Sequence, residues 1–295
     1  MANVRETPRV QRLAGNPIIH PALDSSLGDN INGPSLIRVP DWIARPLGRY
    51  YLYFAHHDGR HIRLAFSDAL EGPWHIHRPG VLPLAASHFA GHVASPDAHV
   101  DNERRQIRLY YHGSDTVTGG GGEQATRVAL SPDGLSFTAL EEILGLPYFR
   151  VFRREGCHYA LAMPGVFYRS RDGLTAFERG PTLFTRNMRH SALALDGDIL
   201  SVFHTVVGDC PERIVLSTID VSQEWTEWTA TPAVAVLEPE QDWEGADRPR
   251  KASVRGLAPH PVCELRDPAV FRDDGRRWLL YSIAGERGIA IAAIE

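Results

Sequence analysis

Apolar residues along this chain gather in short runs broken by glycine, proline and acidic residues, and the runs recur in a fixed order. An aromatic-rich run comes first, as in Tyr50-Tyr51-Leu52-Tyr53-Phe54-Ala55. A second run follows, Ile62-Arg63-Leu64-Ala65-Phe66-Ser67-Asp68, and then an aromatic beyond a turn, Gly72-Pro73-Trp74. The order returns at Ile107 to His112 with Thr126 to Asp133 and Phe137, and at His158 to Met163 with Phe167 to Asp172 and Phe177. It returns again at Ile199 to Thr205 with Ile214 to Asp220 and Trp225, and at Trp278 to Ser282 with Gly288 to Ile294. Short β-branched and aromatic runs bounded by such residues read as strands. Ser-x-Asp closes a turn through side-chain-to-backbone bonds, and the aromatic beyond it packs between neighbouring sheets.

Five such units, each of roughly 40–75 residues, fall in the period range of β-propeller blades. A β-sandwich also has evenly spaced strands, but it does not call for the repeated turn and aromatic. The expected fold is therefore all-β: a single five-bladed β-propeller over residues 1–295. The fifth unit runs out after its third strand. Arg9-Val10-Gln11-Arg12-Leu13 is expected to supply the fourth and so close the ring without an open edge. Pro232 to Pro261, rich in Pro, Glu and Asp, reads as a long non-strand connection across one mouth. Gly119–Gly122 reads as a hairpin loop, since no helix or Lys-Ser/Thr follows to make a phosphate loop.

Composition narrows the function. The hydrophobic share of 43% is that of a packed globular chain. A net charge of −5 without a basic block argues against nucleic-acid or anionic-membrane partners. No apolar run approaches the roughly 20 residues that span a bilayer. The first residues lack the apolar core of a signal peptide. Cys157, Cys210 and Cys263 are widely spaced and odd in number, which suits reduced thiols in a cytoplasmic protein. The spacing of His88, His92 and His99 matches no ligand signature, so no metal or cofactor is expected.

In a propeller the first strand of each blade lines the central channel, so residues at those strand starts converge. Reading them off gives Asn32, Asp97, Arg150, His190 and the pair Arg266-Asp267. Carboxylates accept from sugar hydroxyls, Arg and Asn donate, and a carboxylate pair can do acid–base work at an acetal. The pattern points to a polyhydroxylated ligand.

On these residues the chain resembles the five-bladed propeller glycoside hydrolases, which include the family 43 arabinosidases and xylosidases, the family 32 fructosidases and the family 117 agaro-oligosaccharide enzymes. Arg266-Asp267-Pro268 is similar to the Arg-Asp-Pro motif of the fructosidases, here in the last unit. Ser95-Pro96-Asp97 resembles the second-blade Asp of family 43, and Trp243-Glu244-Gly245 its acid-bearing Glu-Gly, here in the long loop. The resemblance implies a hydrolase acting on the ends of small oligosaccharides. Asp97 or Asp267 would be the base and Glu244 or His190 the acid. Asn32, Arg150, Arg266 and Trp243 would hold the sugar. The departure is in blade one, where Asn32 stands at the position expected to be Asp; an amide is neither base nor nucleophile. Asp29 or Asp41 could reach in instead. The alternatives are a non-catalytic carbohydrate-binding propeller, or a sugar lyase or isomerase on the same scaffold.

Overall fold

The computed structural model describes residues 8–57, 59–115 and 123–295. Strand β1 (Val10–Arg12) is followed by four strands of blade one: β2 (Asn32–Arg38), β3 (Tyr50–Ala55), β4 (His61–Ser67) and β5 (His75–Pro83). Blade two holds β6 (His92–Asp101), β7 (Gln106–Ser114), β8 (Gln124–Ser131) and β9 (Thr138–Ala139). Blade three holds β10 (Arg150–Arg154), β11 (Cys157–Ala162), β12 (Val166–Ser170) and β13 (Glu178–Thr182). Blade four holds β14 (Met188–Asp196), β15 (Ile199–Val206), β16 (Ile214–Asp220) and β17 (Val234–Leu237). Blade five holds β18 (Arg266–Asp273), β19 (Arg276–Ser282) and β20 (Ile289–Ile294), with β1 as its outer strand. The molecule is a five-bladed propeller of antiparallel four-stranded sheets.

The continuous apolar runs belong to second strands because both of their faces are buried. Tyr51 and Tyr53 of β3 pack toward blade two, while Tyr50, Leu52 and Phe54 pack toward blade five. Leu109 and Tyr111 of β7 face blade one, and Tyr110 faces blade three. This period-two division places one apolar cluster at every seam between neighbouring blades. The Ser-x-Asp turns form as expected. The Ser131 hydroxyl accepts from the backbone of Asp133 and Gly134, and the Asp133 carboxylate from Leu135 and Ser136. Each of two such turns also docks the preceding blade. Tyr53 donates to the Gly134 carbonyl and Tyr110 to that of Gly173. Gly134 has φ +74°, and a Cβ there would lie 2.7 Å from the Tyr53 hydroxyl, so the turn needs glycine.

Closure follows the expected route. Val10, Gln11 and Arg12 pair with Ile294, Ala293 and Ala292. One expectation is corrected: Pro232 to Pro261 is not free of strands. It opens with β17, the outer strand of blade four, whose Val234 and Ala235 pair with Leu216 and Val215. Its remainder does cross to the inner strands, where the Val254 and Gly256 carbonyls accept from Arg189 and Arg266. The run Gly119–Gly122 lies outside the described residues. No helix among the described residues is long and apolar enough to cross a membrane.

The closing strand is also fastened by charge. The Arg12 guanidinium donates to both carboxylate oxygens of Glu244, at 2.8 and 3.0 Å, and Glu244 is fully buried. Removing the arginine strands a buried carboxylate, which typically costs about 3–5 kcal/mol. Arg12→Ala is therefore expected to lower unfolding stability by about that amount in urea titration. A loss under about 1 kcal/mol, the range of surface pairs, would show that the closure does not depend on this contact.

Candidate functional site

Four of the five inner strands start with a local kink. The ladder shifts register at Asn32/Ser35 in β2, Ala94/Asp97 in β6, Arg189/Ser191 in β14 and Arg266/Ala269 in β18. One residue at each kink has positive φ: Gly33, Ser95, His190 and Asp267, with Tyr148 just before β10. These five residues are the equivalent positions around the mouth. Non-glycine residues occupy four of them at an energetic cost, which marks the ring as a place where backbone strain aims side chains.

The equivalence refines the sequence reading. His190 and Asp267 stand on the ring as expected. Asn32 precedes its ring position, which Gly33 fills. Asp97 and Arg150 lie two residues beyond theirs, roughly 7 Å deeper at strand spacing.

The mouth is built around Asp267 and His190. Asp267 is buried, and its Oδ1 lies 3.2 Å from His190 Nδ1. Its Oδ2 accepts from the Ser282 hydroxyl at 3.1 Å. Burial and the nearby charge of Glu286 push the Asp267 carboxyl up to about 6, against the pull of Arg189 and Arg266. Burial holds the His190 imidazole well below its ordinary value, helped by Arg189, Arg266 and Arg150. His190 is thus neutral, so the contact is not an ion pair, and its Nδ1 accepts at 3.4 Å from the Asp267 backbone N–H and from Arg189 Nε. Below about pH 6 the protonated Asp267 can donate to Nδ1. Tyr148 leans over the pair, its ring centroid 5.2 Å from His190 and stacked at 4.1 Å on His112.

Behind them lies a buried lattice that sequence reasoning missed. Arg266 donates to Glu264 at 2.8 Å and to Glu286 at 3.0 Å. Arg189 Nε lies 3.3 Å from Glu212, which is fully buried. Burial pushes the Glu264 carboxyl up, partly offset by Arg266. On the blade-one side Asn30 donates to Glu286 at 2.6 Å and accepts from Asn32 at 3.1 Å. A signal for Glu286 was present: a lone charged pair between glycines, Gly285-Glu286-Arg287-Gly288, separates two apolar strands.

Several expected roles are corrected. Arg150 is buried and spends its donors on backbone carbonyls, at 2.8 Å to Ser191 and 3.0 Å to Pro96. Its Nε and Nη1 thereby bolt blades two, three and four together. Arg266 is likewise consumed by Glu264, Glu286 and the Gly256 carbonyl. Glu244 has no exposed surface and is saturated by Arg12, the Tyr281 hydroxyl and two backbone N–H groups. It stabilises the edge of blade five and cannot touch a substrate in this structure. Trp243 packs into the seam between blades four and five. Asp97 does not join Asp267. Its Oδ2 accepts from Val151 N–H at 2.8 Å and lies 2.8 Å from His99 Nε2. It lines a separate channel cavity of about 140 Å³ with Ser35, His99 and Arg150. His99, Arg150 and the Val151 N–H hold its carboxyl below the ordinary value in spite of burial. Of the substitutes in blade one, Asp29 is exposed and paired with Arg287, and Asp41 is exposed.

The site therefore belongs to a five-bladed propeller whose polar mouth holds a carboxyl–imidazole pair. The chain belongs to the family of the uncharacterized protein R118 of Acanthamoeba polyphaga mimivirus, with 34% identity over 97% of this chain and 90% of the viral one. No protein-family profile matches the chain. Among solved structures it is similar in fold to CoXyl43, a GH43 beta-xylosidase/alpha-arabinofuranosidase from a compost microbial metagenome, solved with xylotriose. That pair shares 14% identity over 98% of both chains, with a TM-score of 0.62. It is also similar to a Xanthomonas citri GH43_1 enzyme complexed with xylotriose, at 13% identity over 95% of this chain and 93% of that one, with a TM-score of 0.60. The alpha-L-arabinanase of Cellvibrio cellulosa, complexed with arabinohexaose, gives 16% identity over 89% of this chain and 90% of that one, with a TM-score of 0.56. At these identities the likeness is one of fold.

The raised Asp267 carboxyl carries a signed prediction for stability. Its folded value of about 6 lies above the ordinary 3.8, so folding favours the protonated form. That contribution is complete below about pH 3.8 and is lost as pH rises through about 6. Asp267→Asn cannot ionise. Its stability relative to the native chain is expected to rise from acid to about pH 8, by about 2–3 kcal/mol. Denaturation of both proteins across that range measures it, and a difference that does not change with pH contradicts the assignment.

Proposed function

We propose that this protein is a glycoside hydrolase acting on the ends of small oligosaccharides, with Asp267 and His190 together handling the proton. The observation that carries the reading is the buried Asp267 carboxyl, raised to about 6 and 3.2 Å from the Nδ1 of a neutral imidazole at the mouth of the ring. A carboxyl kept protonated near neutrality is what departure of a glycosidic oxygen requires. Asn32, at the blade-one side, is the amide that would meet sugar hydroxyls, with Asn30 behind it engaged by Glu286, Asn32 and the His57 backbone. The fold shared with enzymes solved with xylotriose and arabinohexaose supports pentose-containing oligosaccharides as the first substrates to try.

A second reading, a carbohydrate-binding propeller without turnover, is favoured by one observation. Blade one offers Gly33 at its ring position and an amide beside it. A Cβ on Gly33 would lie 3.1 Å from the Ser95 Cα, so no side chain fits there without moving blade two.

A release assay with aryl pentosides and short xylo- and arabino-oligosaccharides separates the readings. The native chain is expected to release sugar, with activity falling as pH rises through about 6. Asp267→Asn is expected to lower kcat/KM by roughly 10²–10⁴-fold. Thermal stabilisation by a sugar with no release would support the binding reading. Full activity in Asp267→Asn would remove the proposed acid.

A further inference from the structure

The lattice behind the mouth contains one group that touches both sides of the ring's closing seam. Glu286 sits in the turn between β19 and β20 and is buried. One oxygen accepts from Arg266 at 3.0 Å and lies 3.4 Å from His57 Nδ1. The other accepts from Asn30 at 2.6 Å. Asn30 in turn accepts from the His57 backbone N–H at 2.7 Å and from the Asn32 amide at 3.1 Å. The chain of contacts runs from the blade-five arginine beside Asp267, through one carboxylate, to both amides of the blade-one rim.

We propose that Glu286 is a positioning residue for this mouth: it holds Arg266 in blade five and Asn30 and His57 in blade one in one frame, and keeps a standing negative charge within reach of Asp267. The inference rests on reading Asp267 as the acid. Glu286 has no need to touch a sugar to act in this way.

The electrostatics agree with the geometry. Burial alone would raise the Glu286 carboxyl, but His57, Arg266 and Asn30 overcome it and bring it to about 2. Glu286 is thus ionised over the whole range in which Asp267 titrates. Two carboxylates that share a site and are pushed apart in this way take opposite states, one charged and one able to carry the proton. The other groups facing Asp267 are Arg266 and Ser282 on its own blade, Arg189 and His190 on blade four, and Tyr148 on blade three. Arg189, Arg266 and Ser282 lower the Asp267 carboxyl, which leaves Glu286 as the charge that raises it beyond burial.

Carbon-detected NMR of the aspartate and glutamate carboxyls, assigned with Asp267→Asn, tests this on the intact chain. In the native protein the Asp267 signal is expected to titrate near 6 while the Glu286 signal shows no titration of its own from about pH 4 to about pH 8. Glu286→Gln keeps acceptor and shape but removes the charge. It is expected to lower the Asp267 midpoint by about one pH unit, and in the release assay to move the alkaline limb of the pH profile down by the same amount. An unchanged Asp267 midpoint in Glu286→Gln overturns the proposal. If that variant does not fold, a native Glu286 that titrates between about pH 4 and about pH 8 overturns it equally. Because the NMR readout needs no turnover, absence of sugar release would sink the hydrolase reading and leave this one to be judged on its own.

Discussion

The structure depends on closing the ring. Four seams between blades join neighbours along the chain, but the fifth joins blade five to blade one, and blade five is complete only when β1 lies against β20. Backbone pairing along three residues is a small contact. The Arg12–Glu244 contact adds to it, since Glu244 also accepts from Tyr281 of β19 and from the backbone of residues 240 and 241. The outer strand, the second strand of blade five and the long blade-four connection are thereby tied to one buried carboxylate. Such a group stabilises only while every partner is in place. The strain at the mouth can persist because the ring around it is closed and over-determines each strand start.

That closure puts unlike residues at like positions. Four inner strands kink in the same way and the fifth is preceded by a residue of like backbone, yet the ring reads Gly33, Ser95, Tyr148, His190 and Asp267. The scaffold is nearly symmetric and the chemistry is not. Proton-carrying groups gather where blades three, four and five meet, backed by Arg189, Arg266, Glu212, Glu264 and Glu286. Burying so many charges together is tolerable because Arg266 faces three carboxylates and Arg189 faces Glu212, because His190 stays neutral, and because Asp267 sheds its charge below about pH 6.

Much of this was legible in the sequence. Aromatic second strands are visible because both faces of each are buried, which turns alternation into a continuous apolar run. The turns were legible because Ser131 and Asp133 bond only to residues close by in the chain. The closing strand was legible from a count, since one blade lacked its fourth strand and one segment was left over. The misreadings share a cause. A bulge shifts what a strand position means, and nothing in Ser95-Pro96-Asp97 or Tyr148-Phe149-Arg150 announces that the second and third residues have passed the mouth. Glu244 was misread because an acidic loop looks the same whether its carboxylates meet water or a distant Arg12. Glu286 was missed because its partners, Asn30 and Arg266, are separated from each other by most of the chain.

The asymmetry of the mouth decides what chemistry it can support. The carboxyl–imidazole pair occupies the side of blades four and five, while blade one presents Asn30 and Asn32 above a glycine that has no room for a side chain. Asp97 is turned into the channel and held by His99 and Val151. A site of this shape can protonate a leaving oxygen from one side and orient hydroxyls from the other. Asp97 is held by His99 and Val151, and Asp29 and Asp41 are exposed, which is what keeps the proposed binding function beside the proposed hydrolytic one. The two proposed functions therefore differ by one event, whether the proton of Asp267 reaches a glycosidic oxygen. The buried charges that set that proton's affinity are then as much a part of the proposed function as the residues that would touch a sugar.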